Sequence, residues 1–257
     1  VLLFAVTCSG LATYSHVMFS AHMAQHMLLA MIVPLFLVLG APVTLALEAI
    51  PEEQGRVGPR EWLVAVLESP GLKAIANPVV ASALYLLSFY GVYFTSVFPW
   101  FMTSVWGHLL MNQFFLGTSL LFFWTLIGID PGPRRPPFIA GMVIMIAVMA
   151  LHSFFAIAMT MTSTVLAGDY FASLQRPYAT DLLADQHLGA NLGWASGDIP
   201  MAIVMAAMFV QWVRADERQA RASDQAQEVA AATGRGTDEL ADYNAYLASL
   251  AERDKRR

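Results

Sequence analysis

Long apolar runs alternate with short polar ones along this chain, and the lengths of the runs predict its elements. A helix needs roughly 20 apolar residues to cross a bilayer. Val1–Thr13 is apolar but shorter than that, and reads as the end of a first helix whose start precedes it. After a connection at Tyr14–Ser20, a second helix is expected from Ala21 to Leu47. Pro34 lies inside it and removes a backbone donor, which predicts a kink. Glu48–Ala76 is polar and punctuated by glycine and proline, and Trp62–Leu67 within it fits a membrane-surface segment. A third span follows from Pro78 to about Val97, then an aromatic loop at Phe98–Ser104 and a fourth span at Val105–Ile127. Asp130–Pro137 is an abrupt stop and turn. A fifth span is expected at Phe138–Val165, a polar loop at Ala167–His187, and a sixth span at Leu188–Val213. From Arg214 the chain turns charged and alanine-rich, as a helix and then a glycine-interrupted tail. The pattern predicts an all-α polytopic integral membrane bundle of about six spans, the first partial. The transmembrane domain covers 1–214 and a charged helical tail covers 215–257.

Composition agrees with that pattern. Hydrophobic residues make up 57% of the 257 residues and charged residues 13%, about half the charged share of soluble domains. The net charge of -5 comes mainly from loops and tail, and gives no reason to expect nucleic acid. The single cysteine, Cys8, excludes an internal disulfide and any CxxC site. The chain opens on Val1 within apolar sequence and lacks a basic n-region, so its start is not read as a signal peptide.

Lysine and arginine set the expected orientation. Arg56, Arg60 and Lys73 follow the second span, Arg134 and Arg135 follow the fourth, and the tail carries many more. The intervening loops carry none, apart from Arg176. The tail and the basic loops are therefore expected on the cytoplasmic side of the membrane. All six histidines then fall on the outer side or in the outer half of the bilayer.

Those histidines carry the candidate chemistry. His22 and His26 are four residues apart and share one helix face, about 6 Å apart along the axis. Met18 lies on the same stripe, and Met23 and Met27 form a pair on the adjoining face. His108 has Met111 one turn on. His152 sits about 21 Å from the inner end of its helix, too deep for an interface anchor. His187 opens the sixth span. Imidazole with thioether is a ligand set suited to copper, and thioether favours the cuprous ion. Each residue has a plainer reading: interfacial caps for His22 and His26, a neighbour of Trp106 for His108, an interhelical hydrogen bond for His152, ordinary packing for the methionines. His16, in a loop, is the weakest candidate. Asp198 lies inside a span and needs a partner: a bound cation, a proton, or backbone freed by Pro200. No phosphate loop, catalytic triad or zinc hydrolase motif is present in the sequence, which argues against a classical enzyme.

Four blocks carry a resemblance: Phe19–Leu47, His108–Met111 with Gly128–Pro131, Leu151–Phe155, and Asp185–Pro200 with Phe209–Arg218. Through them the chain resembles the CtaG family of cytochrome c oxidase assembly factors, bacterial multi-span membrane proteins. The resemblance implies copper handling during oxidase maturation, with His22, His26, His108, His152 and His187 as the positions carried over. Relatives often have a second histidine six residues after the first in the fourth span, and here that position is Phe114. The resemblance therefore implies fewer ligands here, or the use of Met111. It also allows the chain to be the C-terminal module of a copper-resistance D fusion.

The combined expectation is a copper-binding assembly factor that helps deliver cuprous copper to cytochrome c oxidase. Its candidate ligands are His22, His26, His108, His152, His187, Met18, Met23, Met27 and Met111. Its expected partners are oxidase subunits, an extracytoplasmic copper donor and the lipid bilayer. Three rivals stand beside it: a copper transporter or resistance protein, a haem-binding electron carrier, and a metal-free scaffold.

Overall fold

The computed structural model describes residues 1–51, 58–132, 136–174, 181–232, 243–244 and 246–247. The described residues form helices and turns with no strand, so the protein is an all-α helical membrane protein. It forms two units, Val1–Met208 and Phe209–Arg257.

Helices α1 (Leu2–Thr7) and α2 (Gly10–Tyr14) are short, and the Ser9 side chain caps the second by accepting from the Leu11 N–H. Next, α3 (Phe19–Met27), a π-helical turn (Leu28–Ile32) and α4 (Val33–Leu39) run together over 21 residues. The π turn lies just before Pro34, where the missing N–H disturbs the ladder, and the Val33 N–H reaches five residues back to the Leu28 carbonyl. The expected continuation to Leu47 does not form. Gly40 ends the run, Ala41 takes a left-handed conformation (φ 47°), and Pro42 starts α5 (Pro42–Ala49). A proline cannot donate to the preceding turn, so the break at Pro42 is sharper than the adjustment at Pro34.

Three further helices begin on proline, which suits the first helical position because its missing N–H would be unpaired anyway. They are α6 (Pro59–Glu68), α7 (Pro70–Ile75) and α8 (Pro78–Tyr93). The expected aromatic loop is partly helical, as α9 (Val97–Met102). Helix α10 (Val105–Ile127) matches its prediction; Ser104 caps its start and left-handed Gly128 ends it. Helix α11 (Phe138–Met161) and α12 (Gly168–Ser173) follow. Helix α13 (Leu182–Ala232) joins the expected sixth span and the start of the tail in one 51-residue helix.

Among the described residues, four helices are long and apolar enough to cross a membrane: Phe19–Leu39, Val105–Ile127, Phe138–Met161 and the apolar part of Leu182–Ala230. Pro78–Tyr93 and Leu2–Tyr14 are apolar but shorter, so the expected six spans reduce to four by this measure. Arg56, Arg134, Arg135, Arg176 and the glycine-interrupted stretch 233–242 lie outside the described residues.

Within the first unit, α10 packs against α4, the π turn, α8 and α9, and α8 packs in turn on α11. Aromatic rings fill the space between them. Tyr85 stacks on Phe122 at 4.6 Å and its hydroxyl donates to the Met31 sulfur. Helix α13 meets its neighbours along a glycine stripe. A Cβ at Gly189 would lie 2.8 Å from the Phe19 ring, one at Gly193 3.3 Å from the Met23 side chain, and one at Gly197 against the His152 imidazole. Small residues four apart let membrane helices approach this closely. In the second unit, α13 is exposed and charged, with a Glu217–Arg221 ion pair at 3.6 Å that adds little stability.

Candidate metal centre

Three imidazoles meet where α3 and α10 face each other. His22 and His26 project from consecutive turns of α3, with ring centroids 4.2 Å apart. His108 comes from the first turn of α10, with its ring 5.4 Å from His22 and 5.6 Å from His26. One ligand atom from each residue lies within 4.8 Å of the other two. His108 Nε2 and His22 Nδ1 are 3.4 Å apart, one donating and the other accepting according to tautomer. His22 and His26 have 0% exposure and His108 has 4%.

Two local features hold the triad. Asp185, on α13, caps the start of α3 from a distant part of the sequence. Its carboxylate accepts from the Phe19 N–H at 2.7 Å, the Ser20 N–H at 3.4 Å and the Ser20 hydroxyl. This satisfies amides that a helix start leaves open and fixes the helix one turn before His22. Beside His108, a Cβ at Gly107 would lie 2.7 Å from the Phe101 carbonyl. Only glycine lets α10 begin so close to α9.

The surroundings are apolar. Phe98 lies 5.1 Å from the His22 ring, Tyr93 5.9 Å from it, and Phe115 4.8 Å from His26. Among the described residues, His22 Nε2 and both nitrogens of His26 have no hydrogen-bond partner, nor does the buried Tyr93 hydroxyl. Leaving a buried polar atom unpaired costs about 1–3 kcal/mol. A metal ion taking one ring nitrogen from each of His22, His26 and His108 would give His26 the partner it otherwise lacks. Nitrogens bound to a single ion at about 2.0–2.1 Å lie at most about 4 Å apart. The observed spread is therefore within a small side-chain adjustment of one ion.

The other predicted positions lie around this group. Met111 is fully buried one turn beyond His108, and half-buried Met18 is the residue preceding α3. Met23 and Met27 are fully buried on the neighbouring face of α3, against Gly193. His152 does not join the three. Its Nδ1 lies 3.2 Å from the Asp198 carboxylate, which also accepts from the Ser153 hydroxyl at 2.5 Å and the Trp194 indole N–H at 2.6 Å. Asp198 thus bonds side chains and not the backbone freed by Pro200. His152 Nε2 remains unpartnered, behind Phe89 and Phe115. His187 Nε2 reaches the Thr162 carbonyl at 3.2 Å, while Gln186 bonds the Leu166 N–H and the Thr164 carbonyl. Asp185, Gln186 and His187 therefore each tie α13 to a neighbour. Phe114 lines an exposed apolar groove with Leu87, Gly91 and Leu110, so its side chain takes no place in the triad.

His16 is where sequence reasoning ranked lowest and the structure ranks higher. Its ring lies 4.1 Å from His108, and the Tyr170 hydroxyl donates to its carbonyl at 2.8 Å. It is half-buried, and burial lowers its pKa below the ordinary imidazole value. No helical spacing links it to His22, so the sequence offered no periodic signal for it.

Comparison with known proteins agrees with the blocks seen in the sequence. A family model described as cytochrome c oxidase caa3 assembly factor matches residues 1–215. An uncharacterized protein of Mycobacterium tuberculosis is 44% identical over 246 residues, covering 95% of this chain and 36% of its own length. A Mycobacterium bovis protein gives the same figures. One from Mycobacterium leprae is 41% identical over 254 residues, covering 98% of this chain and 38% of its own length. The chain thus spans little more than a third of these curated relatives. No solved structure matches. The chain belongs to the cytochrome c oxidase caa3 assembly factor family.

Proposed function

We propose that this chain binds cuprous copper at His22, His26 and His108 and hands it to cytochrome c oxidase during assembly. The observation that carries this reading is the cluster of buried imidazole nitrogens, with three atoms unpartnered, inside a membrane protein of an oxidase assembly family. Neutral imidazoles, with Met111 and Met18 nearby as thioether donors, suit a soft monovalent ion. Three nitrogens leave copper open to a further ligand, which a delivery protein needs for exchange. His152, His187, Met23 and Met27 position the helices around the site. The protein acts by binding and exchange, not as an enzyme. Its partners are oxidase subunits and an extracytoplasmic copper donor. The charge alternation of the sequence supports a site on the extracytoplasmic side of the membrane and a cytoplasmic tail.

The test is metal analysis with an optical spectrum on detergent-solubilised protein loaded with copper under reducing conditions. Near-stoichiometric copper without a Soret band, lost in the His22→Ala/His26→Ala variant, is expected. Copper retained in that variant would reject the assignment. A Soret band would point to a haem carrier, and neither ligand to a scaffold.

A further inference from the structure

The geometry points to His16 as a receiving ligand that takes the copper ion first and passes it down to the buried triad. This rests on the copper reading of His22, His26 and His108.

The four imidazoles form a ladder of decreasing exposure. His16 is half-exposed, His108 is 4% exposed, and His22 and His26 are fully buried. Successive members are neighbours. His16 and His108 lie 4.1 Å apart by ring centroid, His108 Nε2 and His22 Nδ1 3.4 Å apart, and His22 and His26 4.2 Å apart by ring centroid. The triad itself is buried. Phe19 and Phe98 pack on the His22 ring and Phe115 on the His26 ring, which leaves the triad almost no surface open to bulk water. His16 is the least buried of the four, and its backbone is held by the Tyr170 hydroxyl. An ion entering at His16 can move by ligand exchange. Each step forms one copper–nitrogen bond as another breaks, and copper stays cuprous throughout, so no oxidant or reductant is needed.

A receiving ligand controls rate more than equilibrium affinity. The test follows transfer of Cu(I) from a coloured Cu(I) chelator to the detergent-solubilised chain by the loss of chelator colour. His16→Ala is expected to reach the wild-type copper content while loading severalfold more slowly. His16→Met supplies another soft donor and is expected to restore most of the rate, which separates ligand chemistry from packing. Wild-type loading speed in His16→Ala would overturn the relay, and so would slow loading that methionine does not rescue. A loss of affinity matching the loss of rate would make His16 an ordinary ligand and also overturn it. If the wild-type chain takes no copper, the triad reading fails together with the relay; if only the His16 result fails, the triad stands.

Discussion

At the residue scale, the triad carries polar atoms that the folded protein leaves unpaired. His26 is the extreme case, with both ring nitrogens buried and unpartnered. Replacing such a group by an apolar one of similar size removes a desolvation cost of about 1–3 kcal/mol. His26→Leu is therefore expected to match or exceed the copper-free wild type in thermal stability while losing copper. A clear drop in its melting temperature would mean that His26 serves packing. Asp185 is the opposite kind of polar residue, with both oxygens used at the α3 start. Asp185→Ala is expected to destabilise the protein by about 1–2 kcal/mol, the usual scale for a lost helix cap. It should also weaken copper binding, because the cap sits one turn from His22. Thermal unfolding and copper titration of this one variant check both effects.

At the element scale, the close approach of α13 to its neighbours depends on Gly189, Gly193 and Gly197. A methyl at Gly197 would meet the His152 imidazole, which the Asp198 bond holds in place. Overpacking of this kind costs about 1–3 kcal/mol. Gly197→Ala is expected to lower the unfolding temperature, and His152→Ala in the same chain should recover part of the loss by opening space. Additive losses in the double variant would reject this contact as the cause. The sequence made His22 and His26 legible because a spacing of four is a property of one helix. It marked His108 through its place at the start of a well-bounded span. The glycines also stand four apart, yet their meaning comes from Phe19, Met23 and His152, which lie on other helices. The length of the second helix was misjudged for a related reason. Pro34 and Pro42 look alike in sequence, but the first is accommodated by a π turn and the second follows a left-handed Ala41.

At the scale of the whole molecule, the apolar pattern revealed the helical membrane class, but not the tertiary bonds that fix the site. Asp185 reaches Ser20 across 165 positions, and no local pattern announces such a pairing. For the same reason the sequence could not place His152 and His187: one ring nitrogen of each faces a distant residue, Asp198 for His152 Nδ1 and the Thr162 carbonyl for His187 Nε2. A ligand that binds only the folded protein stabilises it, by about 2.7 kcal/mol at a hundredfold excess over its dissociation constant. Copper is therefore expected to raise the thermal midpoint of the wild-type chain and to leave that of His22→Ala/His26→Ala unchanged. An equal rise in both, measured in a thermal scan, would place copper elsewhere.

The caps at the two ends of the Phe19–Leu39 helical run have a temporal consequence. Asp185 fixes the start, and Asp130 holds the segment after its end by accepting from the Val43 and Thr44 amides and the Thr44 hydroxyl. Both carboxylates lie downstream of the run they hold. A ribosome therefore produces His22 and His26 early, His108 later, and the residue that anchors the first two later still. During synthesis the nascent chain carries His22, His26 and His108 before Asp185 is present to hold the start of α3, so the cluster is completed only once the start of α13 has been made. For the proposed copper site, such an order would place capture after the helices that bury the ion have been made.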